Sequence, residues 1–127
     1  MLIVSEKSRQ EIEEFEQEIP LEPQSVYEAE IYKIYRGKLK DLIDIEAIRN
    51  PQVKERYEQQ KDRDALEIWF KVKEDNTEKY YKEVVLISRH PNSKLVKILR
   101  TYGKIKVGMK IQVYTTKWGY PRIKTKG

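Results

Sequence analysis

From Leu66 to Lys73 apolar and polar-side positions alternate without a break. Leu66, Ile68, Phe70 and Val72 fall on one side, Glu67, Trp69, Lys71 and Lys73 on the other. A period of two belongs to a β-strand with one face in a core and the other uncovered; on a helix the same residues would be smeared around the axis. The chain must therefore build a sheet with two unlike faces, and Asp64–Lys73 is its clearest strand. Glu74-Asp75-Asn76 reads as a turn. Tyr80–Ser88 follows as a second strand, apolar on both faces at its centre (Val84, Val85, Leu86, Ile87), so a hairpin joins the two.

The other segments fall around this hairpin. Val26–Arg36 is rich in Tyr, Ile and Val and reads as a strand ended by Gly37. Lys38–Asp64 is charged, and Leu39, Leu42, Ile43, Ile45 and Ile48 have helical spacing, with Asp41 or Asp44 as candidate caps. Pro51 breaks that pattern and opens a polar helix with Val53 and Tyr57 at i, i+4. Asn92 or Ser93 caps a helix carrying Leu95, Val96, Ile98, Leu99 and Tyr102, and Gly103 ends it. Lys94, Lys97, Arg100 and Lys104 are expected on its outer side. In Val107–Thr115 the residues Val107, Met109, Ile111 and Val113 are expected inward, and Trp118–Lys124 is the last strand. Residues 1–25 stand apart as an acidic arm. Ser8 could cap a short helix whose face is Ile12, Phe15 and Ile19, stopped by Pro20 and Pro23.

With the insertion at 38–64 set aside, the order is β-β-β-α-β-β. This order, with the helix in the slot between third and fourth strands, resembles the OB-fold, a five-stranded, partly open barrel. The expected class is mostly β with helices (α+β): an OB-like domain over 26–127 with a helical insertion at 38–64, preceded by the arm 1–25. Another small β-barrel or an α+β sandwich would use the same elements. The resemblance implies a ligand face on strands two and three, framed by the one–two and four–five loops.

Charge sharpens that implication. All 21 acids lie in the first 83 residues, which hold 15 of the 26 bases; after Glu83 come eleven bases and no acid. Such a polarised molecule attracts polyanions. The absence of cysteine excludes disulfides, thiolate metal sites and a cysteine nucleophile, and His90 alone cannot form a histidine-rich metal site. No apolar run is long enough to span a bilayer and the first residues do not read as a signal peptide, so a cytoplasmic location is expected. The 37% of charged residues, mostly Lys and Glu, resembles the enrichment of hyperthermophile proteins and would suit a thermophilic archaeon or its virus.

Two groups of residues could carry the binding. Trp69 lies on the polar side of its strand beside Lys71 and Lys73, where a base could stack on it; the competing reading packs it under the insertion or the arm. Tyr114, Lys117, Trp118, Tyr120, Arg122 and Lys124 surround the expected four–five loop, where Lys and Arg could meet phosphates and the rings could stack bases; alternatively Trp118 and Tyr120 only close the barrel end. Tyr32, Tyr35 and Tyr81 could extend the aromatic track, although cross-strand packing explains them as well. His90 has no triad partner in the pattern. Asp41, Asp44, Glu46, Asp62 and Asp64 match no metal-site spacing, so a Mg²⁺-dependent nuclease is a remote third reading, and no Gly-rich phosphate loop exists. The expected function is therefore non-enzymatic binding of single-stranded nucleic acid, DNA or RNA, with weak sequence preference and no cofactor or metal. The alternative is an assembly module whose basic half docks an acidic partner or another copy's arm, giving a homo-oligomer.

Overall fold

The computed structural model describes residues 9–17 and 19–126. The expected Ser8 cap lies outside them. Five antiparallel strands form one sheet in the order β3-β2-β1-β4-β5, curled into a nearly closed barrel. The strands are β1 (Val26–Lys38), β2 (Asp64–Glu74), β3 (Thr77–Leu86), β4 (Lys110–Thr115) and β5 (Pro121–Ile123). Among the described residues three helices decorate it: α1 (Leu39–Leu42) and α2 (Pro51–Gln60) in the insertion, with a 3-10 turn at Ile45–Ala47 between them, and α3 (Lys94–Tyr102) between β3 and β4. This is the α+β, OB-like arrangement expected from the order of elements. Among the described residues no helix is long and apolar enough to cross a membrane.

The alternation in β2 sets the core. Ile68, Phe70 and Val72 are fully buried, and they meet Ile31, Ile98, Ile111, Val113 and Ile123 from the other elements. A bulge between Ile31 and Lys33 lets β1 turn as it passes from β4 to β2. The β2–β3 hairpin turns through Asp75 and Asn76, both at positive φ, a conformation short polar side chains tolerate. Ser93 caps α3 by accepting the Val96 N–H, and Gly103 ends it at φ 82°.

Side chains complete the barrel between β3 and β5. The Glu83 carboxylate accepts the Ile123 N–H at 2.7 Å, and the Lys94 ammonium donates to the Ile123 carbonyl at 2.6 Å. Glu83 and Lys94 are 3.6 Å apart, so one ion pair satisfies both backbone groups of a β5 residue. Tyr120 adds a bond from its hydroxyl to the Lys82 carbonyl at 3.0 Å. The last acid in the chain is thus a structural clasp.

Several local expectations are corrected. Residues 9–17 form no helix, and Ile12, Phe15 and Ile19 are exposed; the acids crowding this segment repel one another and its apolar stripe has no surface to cover. The arm docks through Leu21 instead, which is 1% exposed in the core. Thr115 fixes it further, its hydroxyl donating to the Glu22 carbonyl at 2.7 Å and accepting the Ser25 N–H at 2.8 Å. β1 runs through Gly37 to Lys38 because β2 pairs with it that far. Neither Asp41 nor Asp44 caps a helix by its side chain; Asn50 caps α2, accepting from Gln52 and Val53. Lys94 points to the barrel rather than outward. Val107 is exposed, because Gly108 at φ 92° turns the chain before β4 begins at Lys110. β5 is only three residues, so Trp118 and Tyr120 belong to the β4–β5 turn and its exit.

Candidate nucleic-acid interface

The outer face of β1, β2 and β3 is built by register. Lys33, Trp69 and Lys82 form one cross-strand row, and Glu30, Lys71 and Tyr80 form the next. Tyr32, in the bulge, reaches over this face, its ring 6.3 Å from Trp69 and 5.3 Å from Tyr80 between centroids. Trp69 is half-buried. Its indole N–H donates to the Glu67 carboxylate, and the Lys82 ammonium lies 5.4 Å from its ring centre. The cover comes from Tyr32 and Lys82 of the sheet itself rather than from packing beneath the insertion or the arm, and Trp69 lines a cleft.

That cleft, about 570 Å³, has Trp69, Tyr80 and Lys82 along one wall and Trp118, Gly119 and Tyr120 along the other, with Gln17 and Pro20 of the arm at its edge. Residues distant in sequence therefore converge, as the two expected aromatic groups required. Trp118 is 77% exposed, and Lys117 sits 5.1 Å over its ring. Tyr120 is partly exposed, with the Arg122 guanidinium stacked 4.5 Å above it. Gly119 is required here. Its φ is 78°, and a Cβ would come within 2.5 Å of the Leu21 carbonyl oxygen.

The cations divide into two kinds. On the face that carries Trp69, Lys71 pairs with Glu30 at 3.3 Å and Lys82 with Glu67 at 3.8 Å, while Lys33 forms no ion pair among the described residues; on the other side of the hairpin, opposite Val72, Lys79 pairs with Glu74 at 3.8 Å. The Glu30 bond holds the Lys71 proton more tightly than usual. The neighbouring Tyr80 phenol, donating to Glu78 at 2.8 Å, is likewise held protonated above its ordinary range. Lys117, Arg122, Lys73 and Lys124 form no ion pair among the described residues.

Not every expected residue gathers at the aromatic cleft. Tyr114 and Arg122 line a different cleft on the far side of β5, beside the insertion. Lys73 lies toward the β2–β3 turn and Lys124 beyond β5, both exposed. Tyr81 turns inward against the core, whereas Tyr35 is exposed on the sheet face. Sequence reasoning passed over Lys82 and Tyr80. Their signal was the continuation of the two-residue period back from Val84, which places both on the Trp69 side.

His90 holds a turn, its Nδ1 accepting the Asn92 N–H at 3.1 Å. Three of the five insertion carboxylates sit in separate ion pairs: Asp62 with Lys40, Asp64 with Arg36 and Glu46 with Lys54. Among the described residues no three metal-ligating side chains cluster. No family model, curated protein or solved structure matches this chain.

Proposed function

We propose that the protein binds single-stranded nucleic acid with weak sequence preference. The observation that carries this reading is the convergence of Trp69, Trp118 and Tyr120 on one cleft, with Trp118 left 77% exposed. A ring that open gains about 1–3 kcal/mol from each stacked base, whatever its identity. Lys117 and Arg122 beside the rings are free to meet phosphates, which position a strand without reading it. Glu30 and Glu67 neutralise Lys71 and Lys82 on the sheet face, whereas Trp118, Tyr120 and the unpaired Lys117 and Arg122 lie along the edge formed by β3 and the β4–β5 turn, which is the favoured path.

Fluorescence anisotropy with a labelled oligothymidylate tests this reading against a duplex of equal length. Tighter binding of the single strand, weakened by Trp118→Ala, is the expected result. Equal affinity for the duplex would reduce the site to a general phosphate surface. Salt-sensitive self-association without nucleic acid, seen by light scattering, would favour the assembly reading instead.

A further inference from the structure

A separate cleft lies between α2, the end of β3 and the start of α3, and encloses about 600 Å³. It exists because α2 stands off the barrel: the helix has no buried residue, its N-terminal end is held by the Asn50 cap and the Lys54–Glu46 pair, and the chain just after it by the Lys40 N–H on the Lys61 carbonyl. Four bases line it, Arg56, Arg63, Lys94 and Arg122, against a single acid, Glu83. That acid is already committed to the Ile123 N–H and to Lys94. Arg56, Arg63 and Arg122 form no ion pair among the described residues. Burial makes Lys94 hold its proton less tightly than a free lysine, against the pull of Glu83, and Arg122 adds a smaller push in the same direction.

The walls are not only cationic. Val84 and Leu86 of β3 and Val53 and Tyr57 of α2 are half-buried and line the same space. Tyr114 stands at the rim with the Lys94 ammonium 5.5 Å from its ring. An inorganic ion would use the arginines and leave this apolar and aromatic surface idle. A ligand with both a phosphate and a flat, weakly polar ring system uses all of it, and the volume falls in the range of small-molecule sites. Arginine is the side chain suited to bidentate phosphate contact.

We propose that this cleft is a second binding site, one for a nucleoside 5′-phosphate, with the phosphate on Arg56, Arg63 and Arg122 and the base against Tyr57 and the Val84–Leu86 wall. The site does not depend on base stacking at the aromatic cleft. The ligand can be a free nucleotide or the phosphorylated end of a strand.

Calorimetric titration of the full chain with AMP and with inorganic phosphate at low salt tests it. AMP binds saturably, phosphate at least about tenfold more weakly, and Arg56→Ala or Arg63→Ala each weakens AMP by about tenfold, the usual scale for a lost charge-assisted contact. Both arginines are exposed, so thermal melting confirms that these variants stay folded. Trp118→Ala leaves AMP affinity unchanged, which separates this site from the aromatic cleft. A preference for 5′-phosphorylated over 5′-hydroxyl oligonucleotide, lost in Arg56→Ala, assigns the ligand to a strand end; AMP binding without that preference assigns it to the free nucleotide. No saturable AMP binding, phosphate binding as tightly as AMP, or unchanged affinity in both arginine variants would overturn the proposal.

Discussion

Trp69 and Trp118 are chemically alike and structurally opposite. Trp118 is largely exposed with Lys117 over its ring, so Trp118→Ala should weaken oligonucleotide binding by about 1–3 kcal/mol while leaving the denaturation midpoint in place. Trp69 also contacts Tyr32, Glu67 and Lys82, so Trp69→Ala should lower both affinity and stability, separable by urea unfolding run beside the titration. Glu30 has the reverse role. Glu30→Gln releases Lys71 for phosphate, so affinity should rise and the slope of log affinity against log salt should steepen by about one. Glu83 is the costliest carboxylate to remove. Glu83→Ala strands a half-buried Lys94 and the Ile123 N–H, and should destabilise the fold by about 3 kcal/mol, with Glu83→Gln losing less because its amide oxygen still accepts that bond. Sequence alone marked Trp69 and Trp118 by type and by period. It could not mark Glu83, whose importance comes from a backbone group forty positions away that the folded barrel brings to it.

The N-terminal arm is half structural and half cover. Leu21 fills the core and Thr115 binds the backbone around it, whereas Gln17 and Pro20 only edge the aromatic cleft. Deleting residues 1–17 should therefore tighten oligonucleotide binding without changing stability. Deleting 1–22 should instead cost roughly the 2–5 kcal/mol of a lost core leucine, a difference thermal melting resolves. Ile12, Phe15 and Ile19 repeat at helical spacing, but periodicity offers a face and only a partner surface fixes it; among the described residues none covers these three. The insertion was easier to read. Pro51 at the first helical turn and the Val53–Tyr57 spacing located α2, although its distance from the barrel, which creates the cationic cleft, has no trace in local pattern.

Taken together, the strands form an OB-like barrel whose charge is segregated in space as well as along the chain. Glu30 and Glu67 hold Lys71 and Lys82 on the sheet face, while Arg56, Arg63 and Arg122 form no ion pair among the described residues at the cleft beside the insertion. The run without acids after Glu83 foretold a basic surface but not this division, because the arginines that flank α2 come from the acidic half of the sequence. β3 links the two clefts: Tyr80 and Lys82 line the aromatic one, Val84 and Leu86 the cationic one, and the Tyr120–Arg122 stack joins them on the other side. The most direct test is intrinsic tryptophan fluorescence of the full chain titrated with an unstructured oligonucleotide at low and moderate salt, for wild type and Trp118→Ala. Saturable quenching that weakens steeply with salt, and that needs markedly more oligonucleotide in the variant, is predicted. Fluorescence that does not change at low salt, or a variant that binds as tightly as wild type, would contradict base stacking in the aromatic cleft.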